Sequence, residues 1–107
     1  MKEKETDLNL LRRIEKNPNY TQRKLSSEMV ISLGKVNYCL RRLIEKGWIK
    51  VYDFHNSKNK RAYAYLLTPR GIEEKARLTY HFLKRNIAEY DQLKKEFDKG
   101  KDNDSFR

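Results

Sequence analysis

The sequence predicts a mainly α-helical fold with one small β-hairpin and a long helix at its C-terminal end. Three observations carry this. Apolar residues recur at helical spacing through the first half of the chain. The pattern switches to alternation over Trp48–Phe54, with a second strand-like run at Ala62–Leu67. From Thr68-Pro69 to about Lys99 no residue breaks a helix except Gly71, early in the first turn.

Each element follows from local chemistry. Leu8, Leu11 and Ile14, with Leu10 beside them, make the stripe of a first helix over residues 7–16, which Thr6 or Asp7 can cap. Asn17-Pro18 stops it, because the residue before a proline avoids the α region. Residues 1–6 read as a flexible N-terminus. Thr21 caps a short second helix carrying Leu25 and Met29. Val30-Ile31 connects it to Ser32, the cap of a third helix that runs to Lys46. Gly47 follows at the position where a left-handed backbone suits glycine.

Leu33, Val36, Leu40, Leu43 and Ile44 give the third helix an oily back. Gly34, Lys35, Tyr38, Arg41, Arg42 and Glu45 make its front. The segment from His55 to Arg61 is polar and cationic and reads as a loop, so the two strands form a hairpin with a basic tip. Thr68 caps the last helix and Pro69 sits at its first position. Its 30 or so residues would span about 45 Å. Gly100 is expected to end it, leaving residues 100–107 as a disordered tail.

Helix, short helix, tight turn, helix, basic hairpin is the order of a winged helix-turn-helix, a three-helix core plus a wing. The assignment is residues 7–68 as a DNA-binding domain, with the helix at 32–46 in the major groove and the wing at 55–61 on the adjacent backbone or minor groove. Charge supports it. The chain carries a net charge of +10, and +7 of that falls on residues 21–68. An anionic partner would offset such self-repulsion. Lys35, Asn37 and Tyr38, near the helix start, are placed to reach base edges. Arg41 and Arg42, further along, suit phosphates. Thr21, Gln22 and Arg23, at the start of the second helix, join the expected DNA-binding set, and Lys58, Lys60 and Arg61 supply the wing.

The run TQRKLSSEMVISLGKVNYCLRRLIEKGWIKV, followed by AYAYLLTPRGIEEKA, resembles the winged-helix domain of MarR-type transcriptional regulators. More narrowly, it is similar to the short members associated with bacterial exopolysaccharide gene clusters. The resemblance covers residues 7 to about 97. It implies a dimeric, cytoplasmic, operator-binding protein in which Ser32, Gly34, Lys35, Asn37, Tyr38 and Arg41 correspond to the recognition helix. The chain departs from the pattern in having Val30 where the family has a glycine in the turn. It is also short, with only its C-terminal helix long, which speaks against a pocket for a small-molecule effector.

Residues 69–99 are expected to dimerise. Ile72, Ala76, Thr79, Leu83, Asn86, Tyr90, Leu93 and Phe97 step alternately by four and three, an a/d heptad seam. Phe82 and Ile87 widen it. The first turns should pack on the winged domain, so the seam for a partner starts near Thr79. Asn86 can fix register, and pairing of Glu89 with Lys94 weakly favours parallel helices.

Other classes find little support. There is no Gly-rich phosphate loop, no G-x-S-x-G and no H-E-x-x-H, so no enzyme is expected. His55 and His81 are isolated, so neither a metal nor a cofactor is expected. The single Cys39 excludes an internal disulfide and reads as inert. No apolar run is long enough for a membrane span, and the opening MKEKETD is not a secretory signal, so a cytoplasmic location is expected. The competing reading is a winged helix used for protein–protein assembly or RNA binding. Such an assembly surface would carry apolar residues where this chain carries cations.

Overall fold

The computed structural model describes residues 3–55, 58 and 61–102. Four helices and one hairpin follow in the order α1 (Glu3–Lys16), α2 (Gln22–Met29), α3 (Leu33–Glu45), β1 (Ile49–His55), β2 (Arg61–Leu67) and α4 (Pro69–Asp102). This is the mainly helical winged helix-turn-helix that the periodicities predict. By its contacts the chain divides into two units, Met1–Arg77 and Leu78–Arg107.

In the first unit, Leu10, Leu11 and Ile14 of α1, Leu25 and Met29 of α2, and Val36, Cys39, Leu40 and Leu43 of α3 form one core, closed by Ile49 and Tyr65 of the hairpin. Burying side chains of this size contributes about 1.5–3 kcal/mol each. Three helices of modest length therefore hold together without a disulfide.

The helix ends explain the connections. Thr21 Oγ1 accepts from Lys24 N–H at 3.0 Å, and Ser32 Oγ accepts from Lys35 N–H at 3.0 Å, so both act as N-caps. Val30 closes α2 with φ 56° and ψ 46°, a left-handed conformation, and Ile31 N–H reaches back to the Ser26 carbonyl. Gly47, at φ 77°, closes α3 in the same way, and Trp48 N–H donates to the Leu43 carbonyl.

β1 and β2 pair antiparallel, from Ile49 opposite Leu67 to His55 opposite Arg61. Tyr65 N–H donates to the Pro18 carbonyl at 3.0 Å, which ties the hairpin to the connection before α2. Thr68 Oγ1 accepts from Gly71 N–H at 3.0 Å and caps α4. Gly71 is required by close approach, since a Cβ there would lie 2.0 Å from the Trp48 carbonyl oxygen. Lys75 Nζ meets Glu15 Oε1 at 2.9 Å, fastening the start of α4 to α1.

Several boundaries differ from expectation. α1 begins at Glu3, so residues 3–6 are helical and neither Thr6 nor Asp7 is its cap. Both are buried instead, and Glu3 and Glu5 place negative charge in the first turn, where the helix dipole favours it. Trp48 precedes the strand rather than opening it. His55 and Arg61, expected in the loop, are paired strand residues. α4 continues through Gly100 to Asp102. A glycine costs a helix about 1 kcal/mol but does not end it unless the backbone turns left-handed there. The remaining tail, residues 103–107, lies outside the described residues.

Candidate nucleic-acid interface

The surface in question is built on α3. Val36, Cys39, Leu40 and Leu43 commit one side of that helix to the core. The other side therefore faces away from the core, and Gly34, Lys35, Arg41 and Glu45 on it are exposed or half-exposed, with Tyr38 59% exposed. At Gly34 nothing among the described residues lies within 4 Å of where a Cβ would stand, so no packing among them demands a glycine. The Ser32 and Thr21 hydroxyls accept the capping hydrogen bonds, and each keeps its own proton for an outside acceptor.

Asn37 is half-buried at the edge of this face. Its Nδ2 donates to Gln22 Oε1 at 3.3 Å, and Gln22 Nε2 donates to the Tyr65 hydroxyl at 3.3 Å. This chain of bonds joins α3, α2 and the wing, and it fixes the orientation of both amides. Arg23 is exposed beside it. Beneath the wing runs a cleft of about 880 Å³, walled by Tyr20, Ile44, Val51, Phe54, Tyr63 and Tyr65, with Thr21 and Gln22 at its α2 side and, among the described residues, no charged one in its lining.

Arg42 is the expected site residue that the structure sends elsewhere. Its guanidinium pairs with Asp7 of α1 and, at 3.0 Å, with Glu3, and only 16% of its side chain is exposed. The phosphate-binding expectation for Arg42 is corrected accordingly, because its donors are directed into the protein. Burial pushes the Asp7 carboxyl above its ordinary value, and the hydrogen bond and charge of Arg42 oppose that shift. A second polar link joins Arg13 and Tyr20 to Glu28 Oε1, at 2.9 and 3.0 Å. The Tyr20 phenol is held above its usual pKa because Glu28 accepts its proton in that bond.

Of the wing cations, Lys58 is exposed, Lys60 lies outside the described residues, and Arg61 opens β2 with its side chain also outside them. Two features escaped the periodicity. Leu33, counted with the oily back, is 43% exposed. The available signal was its position directly after the cap, ahead of Val36, where the buried side of α3 begins. The Asp7–Arg42 pair had no local signal, since its members stand 35 residues apart.

In the second unit, the side chains of the expected seam are exposed: Leu83, Asn86, Ile87, Tyr90, Leu93 and Phe97, along with Thr79. His81 and Phe82 meet edge-on at 5.3 Å. Among the described residues no group of His, Cys, Asp and Glu is placed to hold a metal ion, and no helix is long and apolar enough to cross a membrane.

Comparison with known proteins agrees with this geometry. Residues 3–50 match the family described as winged helix-turn-helix DNA-binding. Among solved structures, a mutant of MepR from S. aureus is similar over 98% of this chain and 75% of its own, at 23% identity and a TM-score of 0.67. Another MepR mutant, bound to an oligodeoxyribonucleotide, is similar over 98% of this chain and 75% of its own, at 23% identity and a TM-score of 0.61. A MarR/EmrR family transcriptional regulator from Acinetobacter sp. ADP1 is similar over 95% of this chain and 76% of its own, at 23% identity and a TM-score of 0.61. At these identities the likeness establishes the fold. No curated protein sequence matches the chain.

Proposed function

We propose that the chain is a sequence-specific, double-stranded DNA-binding transcriptional regulator of MarR type that acts as a homodimer. In this reading α3 enters the major groove and the wing follows the adjacent backbone or minor groove. Asn37 and Tyr38, with Lys35, read bases. Arg41, Arg23, the two capping hydroxyls and the wing cations Lys58, Lys60 and Arg61 hold phosphates. Residues 79–97 of α4 pair with those of a second copy, which sets two recognition helices for half-sites about one DNA turn apart.

The observation that carries the reading is Gly34. A helix gives up about 0.5–1 kcal/mol by placing glycine where alanine would fit. Here nothing among the described residues would touch the missing methyl group. A surface from outside that must come close to the α3 backbone accounts for it. The exposed cations Lys35 and Arg41 on the same face make that surface anionic. The resemblance of the recognition segment to the short exopolysaccharide-associated regulators makes operators in such gene clusters the first to try.

The test is selection of bound duplexes by the full chain from a random library, followed by salt titration of the enriched duplex. Each neutralised phosphate contributes about −0.9 to the slope of log K against log salt, and a dimer making roughly 6–10 such contacts loses orders of magnitude between low and moderate salt. Gly34→Ala should raise thermal stability while weakening binding about tenfold or more. No enrichment, a flat titration, or unchanged binding by Gly34→Ala would defeat the reading.

A further inference from the structure

We infer that Leu33 is a base-reading residue, and that with Asn37 it forms a two-residue reader of A·T pairs: Leu33 takes the 5-methyl group of a thymine, and Asn37 takes an adenine one or two steps away. The inference rests on the DNA-binding reading above and specifies what that surface recognises.

Leu33 is the first residue of α3 and is 43% exposed, whereas Val36 and Leu40, which follow it along the helix, are 0% and 1% exposed. The core therefore begins a turn later, and Leu33 does not complete it. Its neighbour in sequence is Gly34, whose Cβ position is empty. An apolar side chain thus stands beside the point where an outside surface can approach most closely. It is held there, because Ser32 Oγ and the Ser32 carbonyl accept from the N–H groups of Lys35 and Val36, at 3.0 and 3.1 Å. In the major groove the apolar feature of a base pair is the thymine methyl group.

Asn37 lies one helical turn further on, about 6 Å along the axis, a distance of one to two base-pair steps. Gln22 Oε1 accepts one of its Nδ2 hydrogens. Its other Nδ2 hydrogen and its Oδ1 carry no bond among the described residues. One donor and one acceptor side by side on a fixed amide are what adenine N7 and N6 require. Gln22 is in turn held by Tyr65 of the wing, so the amide is oriented before any DNA arrives.

The test replaces each thymine of the selected duplex by deoxyuridine, which removes only the methyl group. Burial of one methyl group is worth about threefold to fivefold in affinity. At one thymine in each half-site, deoxyuridine should weaken the wild-type protein by that factor. Leu33→Ala should weaken the thymine duplex to a similar extent and abolish the distinction at that position alone, while Leu33→Met retains it. Leu33 is exposed, so neither variant should alter thermal stability. If specific binding is found but no thymine shows methyl dependence, or Leu33→Ala still distinguishes thymine from deoxyuridine in full, this inference is overturned and the regulator reading stands. If no duplex is enriched, both fall.

Discussion

α3 and the part of α4 in the second unit are both amphipathic, and they end differently. In α3 the residues Val36, Cys39, Leu40 and Leu43 are buried, and the polar side is left over as a surface. In α4 the residues Leu83, Ile87, Tyr90 and Leu93 are each more than half exposed. A helical period in apolar residues records that a stripe is to be covered. It does not record by what. The α3 stripe is covered by the same chain; for the α4 stripe we propose a second copy. Side chains of this size left in water form the kind of exposed apolar patch that marks an interaction surface.

Disrupting each stripe in turn should separate the two most widely. Leu83→Glu combined with Leu93→Glu should leave the winged unit folded, convert the dimer to a monomer in sedimentation, and weaken binding to a palindromic operator by about a hundredfold or more, since half of the phosphate contacts are lost. By contrast, Leu43→Ala in α3 should cost about 2–5 kcal/mol of stability, because it opens a cavity in a closed core. If the α4 double variant melts like a core mutant, or if the wild-type protein is a monomer at micromolar concentration and still binds the palindrome tightly, the two stripes are not used as described.

Arg42 draws the same distinction within α3 itself. Sequence spacing groups it with Arg41, yet Arg42 is turned toward Asp7 and Glu3 of α1 while Arg41 is exposed, and we propose different work for the two. Removing one member of a buried pair leaves the other desolvated and uncompensated. Arg42→Ala should therefore cost about 3 kcal/mol of stability and leave the salt slope of DNA binding unchanged. Arg41→Ala should do the reverse. Calorimetry and salt titration of the two variants separate the roles. Equal loss of salt slope in both would return Arg42 to the DNA surface.

The contrast also explains what was legible in the sequence. The order of elements, the caps at Thr21, Ser32 and Thr68 and the glycine turn at Gly47 are encoded within a few residues of each other, and each can be read locally. The front of α3, Arg42 apart, was legible for the same reason, since a period of 3.6 separates two sides of one helix. The start of α1 was not, because the residues that extend it, Glu3 to Thr6, carry no apolar period, and Thr6 owes its burial to the tertiary fold. The Asn37–Gln22–Tyr65 chain was hidden likewise, as it joins three elements that only the tertiary fold brings together. Leu33 departs from its expected place because periodicity gives the direction of a side chain around the helix and not whether the core extends that far along it.

The least change is expected at Val30, where sequence and structure meet on a single backbone angle. A β-branched residue at φ 56° is an outlier. Its Cβ crowds the following carbonyl at a cost of about 1–2 kcal/mol. Burial does not offset that cost, for Val30 is 88% exposed. The geometry of the turn nonetheless matters, because Ile31 N–H must reach the Ser26 carbonyl and Ser32 must then cap α3. Glycine adopts this angle without strain but gives the unfolded chain more freedom, which takes back part of the gain. Val30→Gly should therefore stabilise the protein by about 0.5–1 kcal/mol, seen as a rise in melting temperature, with affinity for the selected duplex unchanged. Should Val30→Gly instead stabilise the fold and weaken that affinity several-fold, the exposed isopropyl group would be part of the DNA surface, and the strain at the turn would be serving recognition rather than merely being tolerated.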